Sequence, residues 1–484
     1  MGEFDRFMPE LILLAFAGIV LLADFVVVDK RALAWLSILG LIASAGWTGW
    51  LVGGGRQGTA FSGTLVVDNF SLFFLFLFPA VAAMVVLSSI DFLRVMADRE
   101  GEFYALVLVI AVGAMLLASA NDLITIFVSL ELTSISQYIL AGFMRDTRSS
   151  EAGLKYLLLG AVSTAMLLYG MALLFGLTGT TSLPGIATGL QTASDNLRFA
   201  FLLAAALLAA GFGFKMAVFP FQMWVPDVYE GAPTPVTAYL SVASKAAAFA
   251  VVMRIFFTAL SGSLITNEWA NLFAALAAVS MTFGNVLAIQ QRNIKRLFGY
   301  SSIAQAGYFM VGLAAVSAGG GRFSIGASGV IFFIGAYAFT NLGAFLAIIA
   351  ISDAIGSEQI GDFAGMWRRS PWLALVLAFC LVSLTGIPPT AGFWAKLYIF
   401  NAAIQAKFVW LVIVAVINTL ISAVYYLGVL RVMFLGEPAR EGRLRAGIPI
   451  EFGMSLAALG VLFFGIVPQP LLTAAQKAAD VFAH

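Results

Sequence analysis

Charge is what this chain has least of. Only 11% of its 484 residues are Asp, Glu, Lys or Arg, against 61% hydrophobic, and its mean hydropathy is +0.99. A soluble domain carries roughly 25% charged residues, so a chain this long could not cover its surface with so few. The bilayer must be its solvent. Cysteine occurs once, Cys380, in an apolar run. One thiol cannot form an internal disulfide, a thiolate zinc site or an iron–sulfur cluster. Histidine also occurs once, as the final residue His484, which argues against haem or metal chemistry through imidazole. The net charge of +1 gives no basis for nucleic-acid binding. Long polar stretches are missing too, so no soluble domain and no low-complexity linker is expected.

What is there is a succession of apolar runs. The first, from Pro9 to Val28, follows Glu3, Asp5 and Arg6 and has membrane length, so we read a retained helix rather than a signal peptide. At about 20 residues per span, the runs are 9–28, 32–52, 69–92, 103–119, 122–144, 150–178, 198–222, 234–260, 267–290, 298–317, 324–352, 371–403, 407–434 and 450–469. The expectation is a single all-α polytopic domain of fourteen spans. The least distinct boundary is the fourth to fifth, where only Ala120, Asn121 and Asp122 interrupt the run.

Lysine and arginine in the connections predict orientation. One side, including Lys30, Arg94, Arg145, Arg292, Arg368 and Arg440, holds fifteen; the other, including Arg6, Arg56, Arg198, Arg254 and Arg322, holds seven. The richer side is expected to be cytoplasmic, in a bacterial plasma membrane, with both termini outside. Of the 26 basic residues, the other four, Lys155, Lys215, Lys245 and Lys396, fall inside predicted spans. Glu131 lies near the middle of the fifth. A lysine facing lipid costs on the order of 2.5–3.5 kcal/mol, so these groups are expected to face protein or water. Burial disfavours the charged form and pairing favours it. The protonation of an intramembrane Glu–Lys pair therefore follows its neighbours, which is the chemistry of a proton pump. Inert interhelical staples would use the same residues. Lys155 lies only a few residues into its span and could reach the interface.

Two spans are interrupted. The seventh reads GFGFKMAVFPFQMWVPDVYEGAPTP, with Pro220 and Pro226; the twelfth reads SLTGIPPTAGFWAK, with Gly386, Pro388 and Pro389. Proline breaks the helical ladder, and in hydrocarbon the freed carbonyls need protein or water beside them. A lysine lies near each break. The breaks are five spans apart, so the second crosses in the opposite sense, which predicts inverted five-helix repeats over spans 4–8 and 9–13. This divides the chain into 1–100 (helices 1–3), 101–262 (first repeat), 263–436 (second repeat) and 437–484 (a loop and helix 14). Asp24 reads as interfacial, and Asp227 and Glu230 as a solvated turn. The glycine runs at 53–55 and 319–321 lack a phosphate-loop context.

FPFQMWVPDVYEGAPTPVTAYLSVASK resembles the signature of the antiporter-like subunits of respiratory complex I. RNIKRLFGYSSIAQAGY and SLTGIPPTAGFWAK resemble that family's tenth-helix and twelfth-helix regions, and the order holds from about Phe70 to Leu435. Within the family the wording is most similar to the subunit N (NADH dehydrogenase subunit 2) type. Lys396 stands where the subunit M type is expected to carry glutamate, and no long lateral helix is expected after the last span. The resemblance implies a proton relay of Glu131, Lys215, Lys245 and Lys396, with Lys155 as a secondary member. Gln222, Gln305 and Ser241 are candidate water-organising residues. Many relatives have histidine at the two glutamine positions, and glutamine cannot carry a proton near pH 7. The resemblance also implies partner membrane subunits, both antiporter-like and small. Flavin and iron–sulfur clusters would lie in partner subunits, quinone elsewhere in the complex, and no cofactor or metal in this chain. A multisubunit cation/proton antiporter subunit is the alternative reading, and a membrane subunit that only supports assembly is a third.

Overall fold

The computed structural model describes residues 3–93, 99–262, 264–315, 323–438 and 442–483. Arg94, Arg322, Arg440, His484 and the glycines at 319–321 lie outside them. The chain is an integral membrane protein built of helices. Twelve helices among the described residues are long and apolar enough to cross a membrane: Glu3–Asp24, Arg31–Gly53, Asn69–Phe92, Glu100–Ser119, Leu123–Ala141, Thr147–Thr178, Asp195–Met216, Thr234–Ala259, Thr266–Ala288, Ser324–Ile355, Val409–Leu435 and Ile448–Ile466. The predicted tenth span is the helix Ile294–Ala314, which opens on Lys295 and Arg296. The predicted twelfth is two helices of 15 residues each, Pro371–Thr385 and Ala391–Gln405.

Short polar side chains set the boundaries that hydropathy blurs. Asp122 separates the fourth and fifth spans by accepting a hydrogen bond from the backbone N–H of Ile124 at 2.8 Å. Asp146 and Asn293 cap the sixth and tenth spans in the same way. Asp68 and Ser71 form a reciprocal capping box at the third. Three elements went unpredicted. The antiparallel hairpin Gly58–Ala60/Leu65–Val67 lies between the second and third spans. The short helix Leu183–Gln191 lies in the sixth-to-seventh connection. A terminal helix, Gln469–Ala479, follows the last span. Phe482 beyond it packs on Phe70 and Phe257.

The eighth span is fully buried and the eleventh 94% buried, so these two form the centre. The first, second, sixth, thirteenth and fourteenth are about one-third buried or less and form the periphery. The eighth contains two π-helical turns, Leu240–Ser244 and Ile255–Ala259, on either side of Lys245–Arg254. Such turns recur at functional sites in helices.

Each end of the bundle carries its own polar fastening. At one end Arg148 pairs with Glu230 and Glu358, Arg296 with Asp227 and Glu230, and Lys295 with Glu358. These join the connections after the fifth, seventh, ninth and eleventh spans. At the other end Arg254 pairs with Asp68, and Arg198 with Glu268. Asp24 pairs with Lys30 at 2.8 Å where the first span ends.

Candidate functional site: a line of buried lysines

The seventh-span helix stops at Met216, before Pro220, because Ala217 turns left-handed at φ 63°. The Trp224 indole N–H then donates to the Phe214 carbonyl at 2.9 Å and satisfies one acceptor freed by the break. Lys215 therefore sits in the last turn of a half-helix. In the twelfth span Gly386, at φ 91°, ends the first half at Thr385. Lys396, from the second half, donates its ammonium to the Thr385 carbonyl at 2.9 Å. Although one lysine precedes its prolines and the other follows them, both accompany the C-terminal end of a half-helix. Unpaired carbonyls and the helix dipole favour a cation there.

Lys215, Lys245 and Lys396 are 5%, 2% and 4% exposed. None makes an ion pair with a carboxylate among the described residues. Lys215 Nζ donates to the Tyr138 hydroxyl at 3.3 Å and lies 5.0, 5.5 and 5.6 Å from the ring centres of Tyr138, Tyr156 and Phe214. Glu131, on the same span as Tyr138, accepts from the Thr164 hydroxyl at 2.8 Å rather than from Lys215 directly. Lys245 donates to the carbonyl and hydroxyl of Ser302. Lys396 also approaches the Thr419 hydroxyl at 3.4 Å and lies 4.5 Å from the Tyr308 ring centre. Aromatic faces attract an ammonium through the ring quadrupole.

Polar side chains fill the gaps between them. A cavity of about 10 Å³, near the size that holds one water, is lined by Thr133, Ser134, Gln137, Lys215 and Ser244 together with the apolar Leu117, Leu130, Ala247, Ala248 and Val251. Gln137 accepts from the Tyr156 hydroxyl at 2.9 Å and the Ser244 hydroxyl at 3.3 Å, and Ser244 precedes Lys245. Beyond Lys245 the tenth span presents Ser302, Gln305 and Tyr308, spaced three apart and so stacked on one face. The Tyr308 hydroxyl reaches Thr419 at 3.1 Å, next to Lys396. Gln305 donates to the Leu384 carbonyl at 3.3 Å, beside the twelfth-span break.

The other candidates divide. Gln222 lies in the seventh-span break, and the side-chain carbonyl oxygens of Gln222 and Gln305 are buried without a partner among the described residues. Ser241 donates to the Ala238 carbonyl and accepts from Asn341 at 2.6 Å, so it faces the eleventh span rather than the lysines. Lys155 is not gathered into the line. Its side chain is 43% exposed and pairs with Glu151 at 2.7 Å and Asp227 at 2.9 Å.

Sequence reasoning missed three groups. Glu10, in the first span, is 2% exposed, and one of its carboxyl oxygens lacks a partner among the described residues. Its position directly after Pro9, inside the apolar run, was the available signal. Arg254 and Lys295, counted with the loop cations, are buried. No local pattern marks them, because their partners Asp68 and Glu358 are distant in sequence.

Residues 120–422 match the family described as NADH:quinone oxidoreductase/Mrp antiporter, TM. The NADH-quinone oxidoreductase subunit N of Dehalococcoides mccartyi is 45% identical over 99% of this chain and 100% of its own length. A chain of respiratory complex I from Thermus thermophilus with bound aureothin superposes with a TM-score of 0.81, at 33% identity over 96% of this chain and 98% of that one. A chain of the Mrp complex from a Dietzia species shares the fold, with a TM-score of 0.83 at 21% identity over 98% of this chain and 97% of that one. With a relative this similar along nearly its whole length, the chain belongs to the subunit N family of NADH-quinone oxidoreductase, within the NADH:quinone oxidoreductase/Mrp antiporter membrane proteins.

Proposed function

We propose that this chain is a proton-translocating membrane subunit of an NADH-quinone oxidoreductase, in which quinone reduction elsewhere in the complex drives protons along Glu131, Lys215, Lys245, Lys396 and intervening water. One observation carries the reading. Three buried lysines on three separate spans lack a carboxylate ion-pair partner among the described residues, and hydroxyl and amide side chains lie between them. An unpaired buried charge is strongly unfavourable. A lysine in such a place holds its charge while water and acceptors reach it, and releases a proton when they move. A train of such groups passes protons on. Lys155 acts at the edge of this path.

In this reading the broken helices belong to fourteen spans arranged as inverted repeats over 101–262 and 263–436. The arginine-rich end faces the cytoplasm of a bacterial cell, and both termini lie outside. Other antiporter-like subunits and the small membrane subunits flank the chain. Flavin, iron–sulfur clusters and quinone reside in those partners or elsewhere in the complex.

The test replaces Lys215 or Glu131 by alanine in the assembled complex reconstituted in proteoliposomes. Proton pumping and coupled quinone reduction are expected to fall on the order of a hundredfold, while NADH oxidation by an artificial acceptor survives. Unchanged pumping by an intact variant complex removes the assigned role. The family's Mrp branch and the shared fold of the Dietzia chain support a second reading, a cation/proton antiporter subunit. Sodium-dependent exchange by the isolated chain would favour it.

A further inference from the structure

A polar cavity of about 440 Å³ opens at the end of the bundle that carries the Arg148–Glu230 fastening. It has room for on the order of ten waters. Its walls bring four carboxylates together: Asp146 and Glu230 from two connections, Asp353 from the last turn of the eleventh span and Glu358 from the segment after it. Three of them are engaged. Asp146 caps the sixth span, Glu230 accepts from Arg148 and Arg296, and Glu358 accepts from Lys295 at 2.8 Å. Asp353 is exposed at the rim and has no hydrogen bond or ion pair among the described residues. Beside it, the Ser352 hydroxyl lines the cavity, is buried with the residue only 7% exposed, and has no protein partner among the described residues. A buried hydroxyl in that condition, next to polar space of this size, is satisfied by water.

One strap, Val225–Gly231, borders both the cavity and the lysine line. Glu230 faces the cavity, while the preceding residue, Tyr229, places its hydroxyl 3.0 Å from that of Ser302, the partner of Lys245. The buried Lys295 ammonium pins the strap's end by donating to the Ala232 carbonyl at 2.8 Å while it holds Glu358.

We propose that this cavity is the intake through which protons reach Lys245, and that Asp353 is its collecting acid. The inference rests on the proton-relay reading above. A proton captured from bulk water at this end by the Asp353 carboxylate passes to cavity water, and water carries it on to the Tyr229 hydroxyl. The Tyr229 and Ser302 hydroxyls each accept one proton as they release their own, and the Lys245 amine takes the last. No bond other than O–H and N–H changes.

The experiment compares Asp353→Asn, Asp353→Glu and Lys245→Met in the intact complex, reconstituted in proteoliposomes, with assembly checked on native gels. Asp353→Asn is expected to lower the pumping rate on the order of tenfold. Asp353→Glu, and added formate as a small mobile weak acid, are expected to restore most of it, with NADH oxidation by an artificial acceptor unchanged. A loss that neither glutamate nor formate restores marks a structural role and overturns the inference. Full pumping by Asp353→Asn beside a silent Lys245→Met removes the intake and leaves the relay. Full pumping by Lys245→Met removes both. If Asp353→Asn does not assemble, Asp353→Ser is read by the same formate rescue.

Discussion

At the scale of single residues, the most instructive pair is Asp68 with Arg254, 186 positions apart. Arginine suits it, because the guanidinium fork meets both carboxylate oxygens, at 2.6 and 2.7 Å, while its Nε donates to the Ala118 carbonyl at 3.1 Å. Deleting one partner strands the other, which costs about 3–5 kcal/mol, whereas removing both together costs much less. Arg254→Met is therefore expected to lower the melting temperature of the purified complex more than the Asp68→Leu/Arg254→Met double variant does. Acid exposes the same pair. Burial alone would raise the Asp68 carboxyl, but the Arg254 charge and its hydrogen bonds, with those of Ser71, outweigh it and hold the group below its ordinary 3.8. The unfolded chain then binds this proton more readily than the folded chain. The contribution is complete above 3.8 and is lost as pH falls through the lowered folded value. Melting curves recorded downward from pH 5 are expected to show a steeper loss for the unaltered protein than for Asp68→Asn.

At the scale of elements, the twelfth span shows how closely a broken helix must fit itself. A Cβ added at Gly392 would lie 1.9 Å from the Ser383 carbonyl oxygen, a backbone atom that cannot swing away. Gly392 N–H also donates to the Ser383 hydroxyl at 3.2 Å, so the two halves meet at this residue. Gly392→Ala is expected to abolish assembly or leave a complex that melts well below the original. Gly428→Ala, in the thirteenth span where a Cβ would meet nothing within 4 Å, is expected to be neutral or stabilising by about 1 kcal/mol. Western blots of membranes and melts of the purified complex separate these outcomes. The existence of the break was legible, because Gly386, Pro388 and Pro389 cannot continue a helix in sequence order. Its fit was not, because Ser383 and Gly392 carry no local mark of their contact. The seventh span illustrates the same limit. Pro220 announces a break, yet the helix ends earlier, at Met216, through the left-handed Ala217. Tyr138 could be read as polar, but not as the ring and hydroxyl that Lys215 meets.

At the scale of the whole molecule, charge is sorted into two fastened ends and one line through the apolar middle. The sequence shows these lysines, because a lysine inside an apolar run is visible without structure. It could not tell a lysine deep in the protein from one whose long stem carries its charge back to the edge, since both occupy apolar helix positions. Lys155 is the case that separates them. It joins Asp227, which also holds Arg296, in the fastening at the arginine-rich end. Burial acts to raise the Asp227 carboxyl, but hydrogen bonds from Lys155 and Arg296 win and keep it lowered. That arrangement clamps the sixth span to the strap that ends beside the eighth. Its members are one-third or more exposed, or nearly so, and salt screens such pairs to at most about 1 kcal/mol each. The Asp227 carboxylate keeps Arg296 when Lys155 is lost. Lys155→Met is therefore expected to retain most pumping and to shift the melting temperature only slightly, with the shift vanishing at high salt. Lys245→Met, in the fully buried eighth span, removes the one lysine among the described residues that stands between Lys215 and Lys396 in the proposed relay, and is expected to stop pumping at any ionic strength. Parallel pumping assays of the two variants at low and high salt decide it: an equal loss in both would put Lys155 inside the relay and make the clamp at the edge part of the proton path.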